Sequence, residues 1–348
     1  MTRSLAPTAL ALVLLAAACS DSDDGDDTTA PSPTAGGAVA AVPELGAWHE
    51  LVTDPGGGVL LVNGYPEGAA DPDPVGLWRW DGEQWTAVDP EGDGPSARNF
   101  AAVAMDTERD VLVLHGGLTP GGVSDETWAW DGSAWSLVAS GDDGPGPRSA
   151  ASAAYDEAAD RVLLYGGDAG GEQHDDTWAW DGSAWEQVAT DGPEPVRWPA
   201  FMEYDPASGT VVLYGGHQVV DEDAPIAVGD TWVWSGDGWR RVRSADEPGL
   251  LLNANGVAHP EHGLLLVGGA EPAGETGRVW RWAGGAWEAL PDGLVPERQA
   301  FGLAYDPARD VVVLTGGVVE PGSTERHQDV WEWSGDPAEP AVGVPAPG

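Results

Sequence analysis

The seven histidines and the single cysteine of this sequence lack catalytic or metal-binding spacing. The histidines show no pairing of the kind that binds zinc or copper: His49, His115, His174, His217, His259, His262 and His327. No Gly-x-Ser-x-Gly nucleophile elbow and no phosphate-binding P-loop occurs. The sequence therefore predicts no metal and no cofactor, and it favours a non-enzymatic protein while leaving an enzyme open.

Arginine recurs at one place in a repeated pattern, as Arg98, Arg148, Arg197 and Arg298. An acidic residue recurs two positions before a tryptophan, as Glu126, Asp176, Asp230 and Asp329. A ring of guanidinium groups could bind a carboxylate or a sugar acid through paired hydrogen bonds. Alternatively, each arginine pairs with a neighbouring acid and pins a loop to a sheet. Because the arginines and the acids recur together in the same repeats, the second alternative is favoured.

A further candidate ligand site lies in one long connection and consists of His217, Asp221, Glu222 and Asp223. Three adjacent acids could bind calcium through their carboxylate oxygens. In so acidic a sequence, a solvated loop is the favoured alternative.

The first residues have the features of an export signal. Arg3 precedes an uncharged, mostly apolar run from Leu5 to Ala18, which is too short to span a membrane. Three alanines then precede Cys19, and this resembles a bacterial lipobox in which the usual leucine lies one position early, at Leu15. The resemblance implies cleavage before Cys19 and attachment of acyl chains to it, including palmitate, as a bilayer anchor. A plain signal peptide is the alternative, and a lone cysteine allows no intramolecular disulfide bond.

Composition divides the chain into four parts: a signal peptide (1–18), an acidic, Pro-, Ala- and Gly-rich tether (19–43), a folded body (44–336) and a Pro-rich tail (337–348). The tether has no apolar face to bury, so we predict that it is disordered. The formal net charge is −43, and all 15 basic residues are arginine. Such a charge disfavours binding to nucleic acid, because no basic stripe is available to neutralise phosphates.

A tryptophan motif recurs through the body with a period of 48 to 54 residues. It reads Trp-x-Trp, four residues, then Trp: Trp78, Trp80 and Trp85; Trp128, Trp130 and Trp135; Trp178, Trp180 and Trp185; Trp232, Trp234 and Trp239; Trp280, Trp282 and Trp287; and a shortened sixth copy, Trp331 and Trp333. Periods of this length are typical of propellers and solenoids. We predict that the middle tryptophans belong to the core: Trp80, Trp130, Trp180, Trp234, Trp282 and Trp333.

Each period contains four predicted strands, which we name a to d in chain order. Strand a is short and apolar, strand b ends at a diglycine such as Gly116-Gly117, strand c carries Trp-x-Trp, and strand d carries the third tryptophan. The b–c and d–a connections of an antiparallel sheet lie on one face, which we call the loop face. The a–b and c–d turns lie on the other, the turn face. Variable loops on a rigid scaffold are preferred places for binding, so we expect a ligand or partner at the loop face.

An apolar strand, a diglycine, a variable loop and a Trp-bearing hairpin, repeated six times, resemble the kelch-repeat β-propellers, including the central domain of galactose oxidase. The resemblance implies an all-β, six-bladed propeller with four antiparallel strands per blade. Radial stacking is the arrangement that buries the tryptophans of such sheets. The copper chemistry of galactose oxidase is excluded, because it requires a Tyr–Cys cross-link and the sole cysteine is Cys19.

Blade six lacks an evident fourth strand. Residues 38–42, ahead of blade one, could supply it and join the two ends of the chain, and this is the favoured option; residues 341–344 are the alternative.

The leading functional hypothesis is a lipid-anchored, extracytoplasmic and monomeric recognition module of the bacterial cell envelope that binds a protein or a glycan. A carbohydrate-active enzyme similar to the kelch-type N-acetylneuraminate epimerases is the second, with Arg148, Arg197 and Asp221 or Glu222 as its residues. A structural envelope spacer is the third.

Overall fold

The computed structural model describes residues 49–54, 56–63, 75–197, 199–219, 225–271, 274–318 and 326–344. The predicted signal peptide, the tether with Cys19, and Asp221, Glu222 and Asp223 lie outside these ranges. Within them the chain is all-β apart from one 3-10 turn, Gly141–Asp143. A search of these same ranges for a helix long and apolar enough to cross a membrane found none.

Six four-stranded antiparallel sheets follow one another along the chain. The first three blades comprise β1 (Glu50–Thr53), β2 (Val59–Asn63), β3 (Gly76–Trp80) and β4 (Trp85–Val88); β5 (Ala102–Asp106), β6 (Val111–His115), β9 (Thr127–Trp130) and β10 (Trp135–Ala139); β11 (Ser152–Asp156), β12 (Arg161–Tyr165), β13 (Thr177–Trp180) and β14 (Trp185–Ala189). The short strands β7 (Leu118–Thr119) and β8 (Gly122–Val123) form a hairpin within the b–c loop of blade two.

The last three blades comprise β15 (Phe201–Asp205), β16 (Thr210–Tyr214), β19 (Thr231–Trp234) and β20 (Trp239–Val242); β21 (Asn255–His259), β22 (Gly263–Val267), β25 (Val279–Ala283) and β26 (Ala286–Ala289); β27 (Gly302–Asp306), β28 (Val311–Thr315), β29 (Val330–Trp333) and β30 (Val342–Val344). Two b–c loops again contain hairpins, formed by β17 (His217–Val219) with β18 (Pro225–Ala227) and by β23 (Ala270–Glu271) with β24 (Gly274–Glu275).

The predicted six-bladed propeller is confirmed. The innermost strands of successive blades contact each other in ring order, and β27 of blade six contacts β1 of blade one. Strand b lies between two strands and between two neighbouring blades, so its apolar residues are almost fully enclosed, as at Leu60 and Leu163, each 0 % exposed.

The tryptophans pack between blades. The middle tryptophan of every copy, from Trp80 to Trp333, is at most 3 % exposed. In blade three its ring centroid lies 5.6 Å from that of the third tryptophan, Trp185, and the indole nitrogen of Trp185 donates to Thr127 Oγ1 of the preceding blade at 2.9 Å. Burial of one indole removes about 150–250 Å² from water, equivalent to roughly 4–6 kcal/mol as an upper bound. Each blade therefore depends on its neighbours for stability.

The preference for residues 38–42 as the closing strand was wrong. The fourth strand of blade six is β30, which pairs with β29 through Val330↔Val344 and Glu332↔Val342. The chain reaches this position because the Trp333 indole nitrogen donates to the carbonyls of Asp336 and Glu339, and Ala341 N donates to Leu294 O at 2.7 Å.

Blades one and six then meet through side chains instead of a shared sheet. Leu51, Trp80 and Trp85 of blade one form one buried cluster with Val313 and Val330 of blade six. The indole nitrogen of Trp80 also donates to Glu332 Oε1 at 3.0 Å. The ring is thus closed by the same inter-blade packing that joins the other blades.

Candidate functional site

The loop face combines irregular connections with a rigid base. Isolated β-bridges connect a residue three positions before strand a to the start of the b–c loop, as in Asn99↔Leu118, Ser149↔Asp168 and Gln299↔Val318. The loops of blades two, three, five and six are therefore held at their roots by the segments that enter their own blades.

The four repeated arginines form the interior of this base. Their side chains are 0 or 1 % exposed, although they lie next to a solvent-facing loop layer. The guanidinium group of Arg148 donates to Gly166 O at 2.9 Å, to Asp176 Oδ1 at 2.8 Å and to Pro145 O. Arg98 with Glu126, Arg197 with Asp230 and Arg298 with Asp329 repeat this pairing. Each arginine thus bonds a diglycine carbonyl and an acid of its own blade.

The acids of these pairs also hold the Trp-bearing strand. Asp176 Oδ2 accepts a hydrogen bond from the Trp178 indole nitrogen at 2.7 Å. Burial alone would raise the pKa of Asp176, but the hydrogen bond and charge of Arg148 outweigh it and hold that pKa below its usual range. The pair therefore stays ionised at neutral pH and connects strands b and c.

The diglycine is required by a close approach between blades. Gly116 has φ +69°, and a Cβ built on it would lie 2.2 Å from the carbonyl oxygen of Arg148 in the next blade. The amide of Gly117 donates to that same oxygen at 2.9 Å. The arginine segment thus contacts two diglycines, its own through the side chain and the preceding one through the backbone.

Blade five lacks both the repeated arginine and the repeated acid. The position of the arginine, four residues before strand a, is Leu251, which is 3 % exposed, and the position of the acid is Arg278, which is exposed. Neither partner is present without the other among the described blades. This covariation and the burial of the guanidinium groups agree with the structural alternative, in which the arginines pin loop to sheet.

His217 is also enclosed at the loop base. It lies at the start of β17 and is 5 % exposed. Burial lowers its pKa to about 4, so the ring is neutral at physiological pH. The acidic residues 221–223, which would have to join it in a ligand site, lie outside the described residues. In the part of the chain that the structure describes, no group of three or more His, Cys, Asp or Glu residues could hold a metal ion.

Comparison with known families agrees with this architecture. The family model of the KLHDC2/KLHL20/DRC7 Kelch-repeats domain matches residues 49–269, which is more than half of the chain. The chain belongs to the kelch-repeat family. The matched segment ends at the diglycine of blade five, so blade six of this kelch propeller is defined by the structure. A search of curated proteins found no significant match. Kelch propellers are in general scaffolds for protein interaction, which is the coarse functional class of this chain.

Sequence reasoning missed two glutamates in the centre of this kelch propeller. Strands a surround a central channel with a cavity of about 640 Å³, and Glu50 of β1 and Glu203 of β15 line it. Both side chains are half-buried, and enclosure by the channel raises the pKa of each to about 7.

Glu50 and Glu203 could have been identified by aligning the six repeats. The a–b turn opens with an aspartate, such as Asp54 in blade one, or with His259 in blade five; we call this residue the turn acid. Four residues before it, where blade one has Glu50, the other blades have Ala102, Ser152, Phe201, Asn255 and Gly302. Two residues before it, where blade four has Glu203, the others have Val52, Ala104, Ala154, Val257 and Ala304. A carboxylate stands at each position in one blade alone.

Proposed function

We propose that this chain is a lipid-anchored, extracytoplasmic recognition propeller that binds a protein or a glycan through its loop face. The anchor is Cys19, the host envelope is bacterial, and the working unit is a monomer. The observation that carries the proposal is the contrast between the two faces of the ring.

On the turn face, the c–d turns of blades one to three begin with the same residue type, as Asp81, Asp131 and Asp181. Asp131 Oδ1 accepts hydrogen bonds from the amides of Ser133 and Ala134, and Asp181 does the same for Ser183 and Ala184. In such turns the aspartate side chain is already hydrogen-bonded to amides of the turn itself. They offer a partner little that distinguishes one blade from the next.

The described b–c loops of blades two, three and four differ from one another, whereas blades two and five carry hairpins of the same size. Blade two has the β7–β8 hairpin, blade four the longer β17–β18 hairpin, and blade three has a turn in which Asp168 Oδ1 accepts from the amides of Gly170 and Gly171. Different loops on a base held by repeated ion pairs are the arrangement that supports selective recognition. This supports the loop face as the binding surface.

A pair of variants on opposite faces of blade three tests the assignment. Glu172→Arg changes an exposed position of the b–c loop, and Ala184→Arg changes an exposed position of the c–d turn. Both add an arginine to the same blade. Ligands found on glycan arrays, and proteins cross-linked to the anchored chain in its envelope, should bind Glu172→Arg more weakly and Ala184→Arg normally. Loss of binding in Ala184→Arg alone would contradict the proposal.

Two further outcomes distinguish the alternatives. Anomer exchange or epimerisation of a bound sugar, followed by NMR, would establish the enzyme. No glycan and no cross-linked protein would establish the spacer.

A further inference from the structure

We propose that the central channel is a binding site for a small organic cation, an ammonium group carried on an aliphatic body. This site is separate from the loop face and its proposed partner. The inference depends on the size of the cavity, its apolar wall and the placement of Glu50 and Glu203; a third glutamate that lines it, Glu157, is exposed.

The cavity has the size and surface of a small-molecule site. Its volume of about 640 Å³ falls within the roughly 300–1,000 Å³ of typical ligand pockets, which are apolar with a few convergent polar groups. Small and apolar side chains form much of the wall, among them Ala101, Val103, Met105, Ala153 and Ala258. An aliphatic body can therefore replace water along this wall at a gain in free energy.

The two carboxyl groups approach this apolar space from opposite sides. The inner strands contact each other in ring order, so β1 and β15 belong to blades one and four, which face each other across the channel. Glu50 lies two positions nearer the loop face than Glu203 in aligned strands, which separates their levels by about 7 Å of strand rise. One ammonium group can bind either carboxylate, and a longer diamine can span both.

The basic residues on the described cavity wall are the histidines His49 and His259, and burial lowers the pKa of His259. No arginine is among the described residues that line the cavity. Glu50 has burial as the sole cause of its altered acidity, and the other charge that acts on Glu203 is the carboxylate of Glu157, of the same sign. A carboxylate enclosed without a counter-ion is costly unless a cation pairs with it. With a net charge of −43, the protein also attracts cations to the channel mouth.

Three six-carbon probes of different charge test the proposal: hexylamine, hexan-1-ol and hexanoate, each titrated calorimetrically into the folded body at pH 8. Hexylamine should bind and the other two should not. Glu50→Gln and Glu203→Gln should each weaken hexylamine binding about twofold, because each removes one of the two carboxylates that can form a charge-assisted hydrogen bond with the ammonium group. The double variant should show no binding. Glu186→Gln, an exposed position on the outer strand β14, removes the same charge and should bind as the unaltered protein does.

A second measurement uses the unaltered protein. Near pH 7, hexylamine should release protons on binding, because the ammonium group ionises the carboxyls. Titration in buffers of different ionisation enthalpy measures this release. Equal affinity for hexanol and hexylamine, unchanged affinity in the double variant, or binding without proton release would each overturn the proposal. Glu172→Arg should leave hexylamine binding unchanged, so failure here is distinguishable from failure of the loop-face function.

Discussion

The carboxyl group of Glu50 should make the stability of this propeller fall as the pH rises towards 8. Burial raises its pKa from 4.5 to about 7. A carboxyl whose pKa is higher in the folded than in the unfolded state contributes stability that is complete below the unfolded pKa and is lost as the pH rises through the folded one. The affected window therefore runs from about pH 4.5 to about pH 7.

The magnitude follows from the size of the shift. One pKa unit corresponds to about 1.36 kcal/mol, so the raised pKa of Glu50 sets an upper bound of about 3 kcal/mol. The side chain is half-buried, and water in the channel screens part of its charge. We therefore expect about 1–2 kcal/mol in the free energy of unfolding. Glu50→Gln, which cannot ionise, should exceed the unaltered protein by this amount at pH 8 and match it at pH 5.

Urea unfolding followed by tryptophan fluorescence at pH 5, 6, 7 and 8 measures the effect. Buried His115 and His217, whose pKa values burial lowers to about 3 and about 4, also change stability in acid. Their contribution cancels when the two proteins are compared at one pH. Glu186→Gln serves as the control for loss of an exposed charge. Parallel stability profiles for the unaltered protein and Glu50→Gln from pH 5 to pH 8 would refute the reasoning.

Three further changes test other parts of the account. Trp180→Ala should lower the free energy of unfolding by about 3–5 kcal/mol, as large core truncations do; an unchanged thermal midpoint would contradict the inter-blade role of the indole. Arg148→Met should cost about 3–5 kcal/mol in urea unfolding, because it leaves the carboxylate of Asp176 without its partner, and adding Asp176→Leu should recover part of that loss; additive costs would argue against a coupled pair. Cys19→Ser should move the protein from the membrane to the soluble fraction without altering its circular dichroism, and retention in the membrane would refute the proposed anchor.

Most strands of a blade could be predicted from the sequence, because the recurring tryptophans and glycines align the six repeats with one another. The prediction that strand b ends at a diglycine is confirmed in blades two, three and six, where β6, β12 and β28 each end directly before one. Period-2 spacing of tryptophan marks strand c equally well. The local pattern was sufficient to predict these strands, because every blade packs between two other blades of the same kind.

The end of the chain was harder to predict. Blade six has no third tryptophan, so nothing local marks its strand d, and β30 has its position through contacts of Trp333 and Ala341 with distant backbone carbonyls. Closure of the ring is a property of both ends together. A sequence pattern within one repeat does not contain it.

The sequence by itself determined the repeat, the number of blades and the face that carries the variable loops, because these follow from local spacing and strand parity. Only the tertiary structure decided what the charged residues do. It placed Arg98, Arg148, Arg197 and Arg298 inside the loop base with acids as partners, and it placed Glu50 and Glu203 on opposite sides of one cavity. The physical reason is that the free energy of a charge depends on the atoms that surround it, and in a ring those atoms come from blades far apart in the chain.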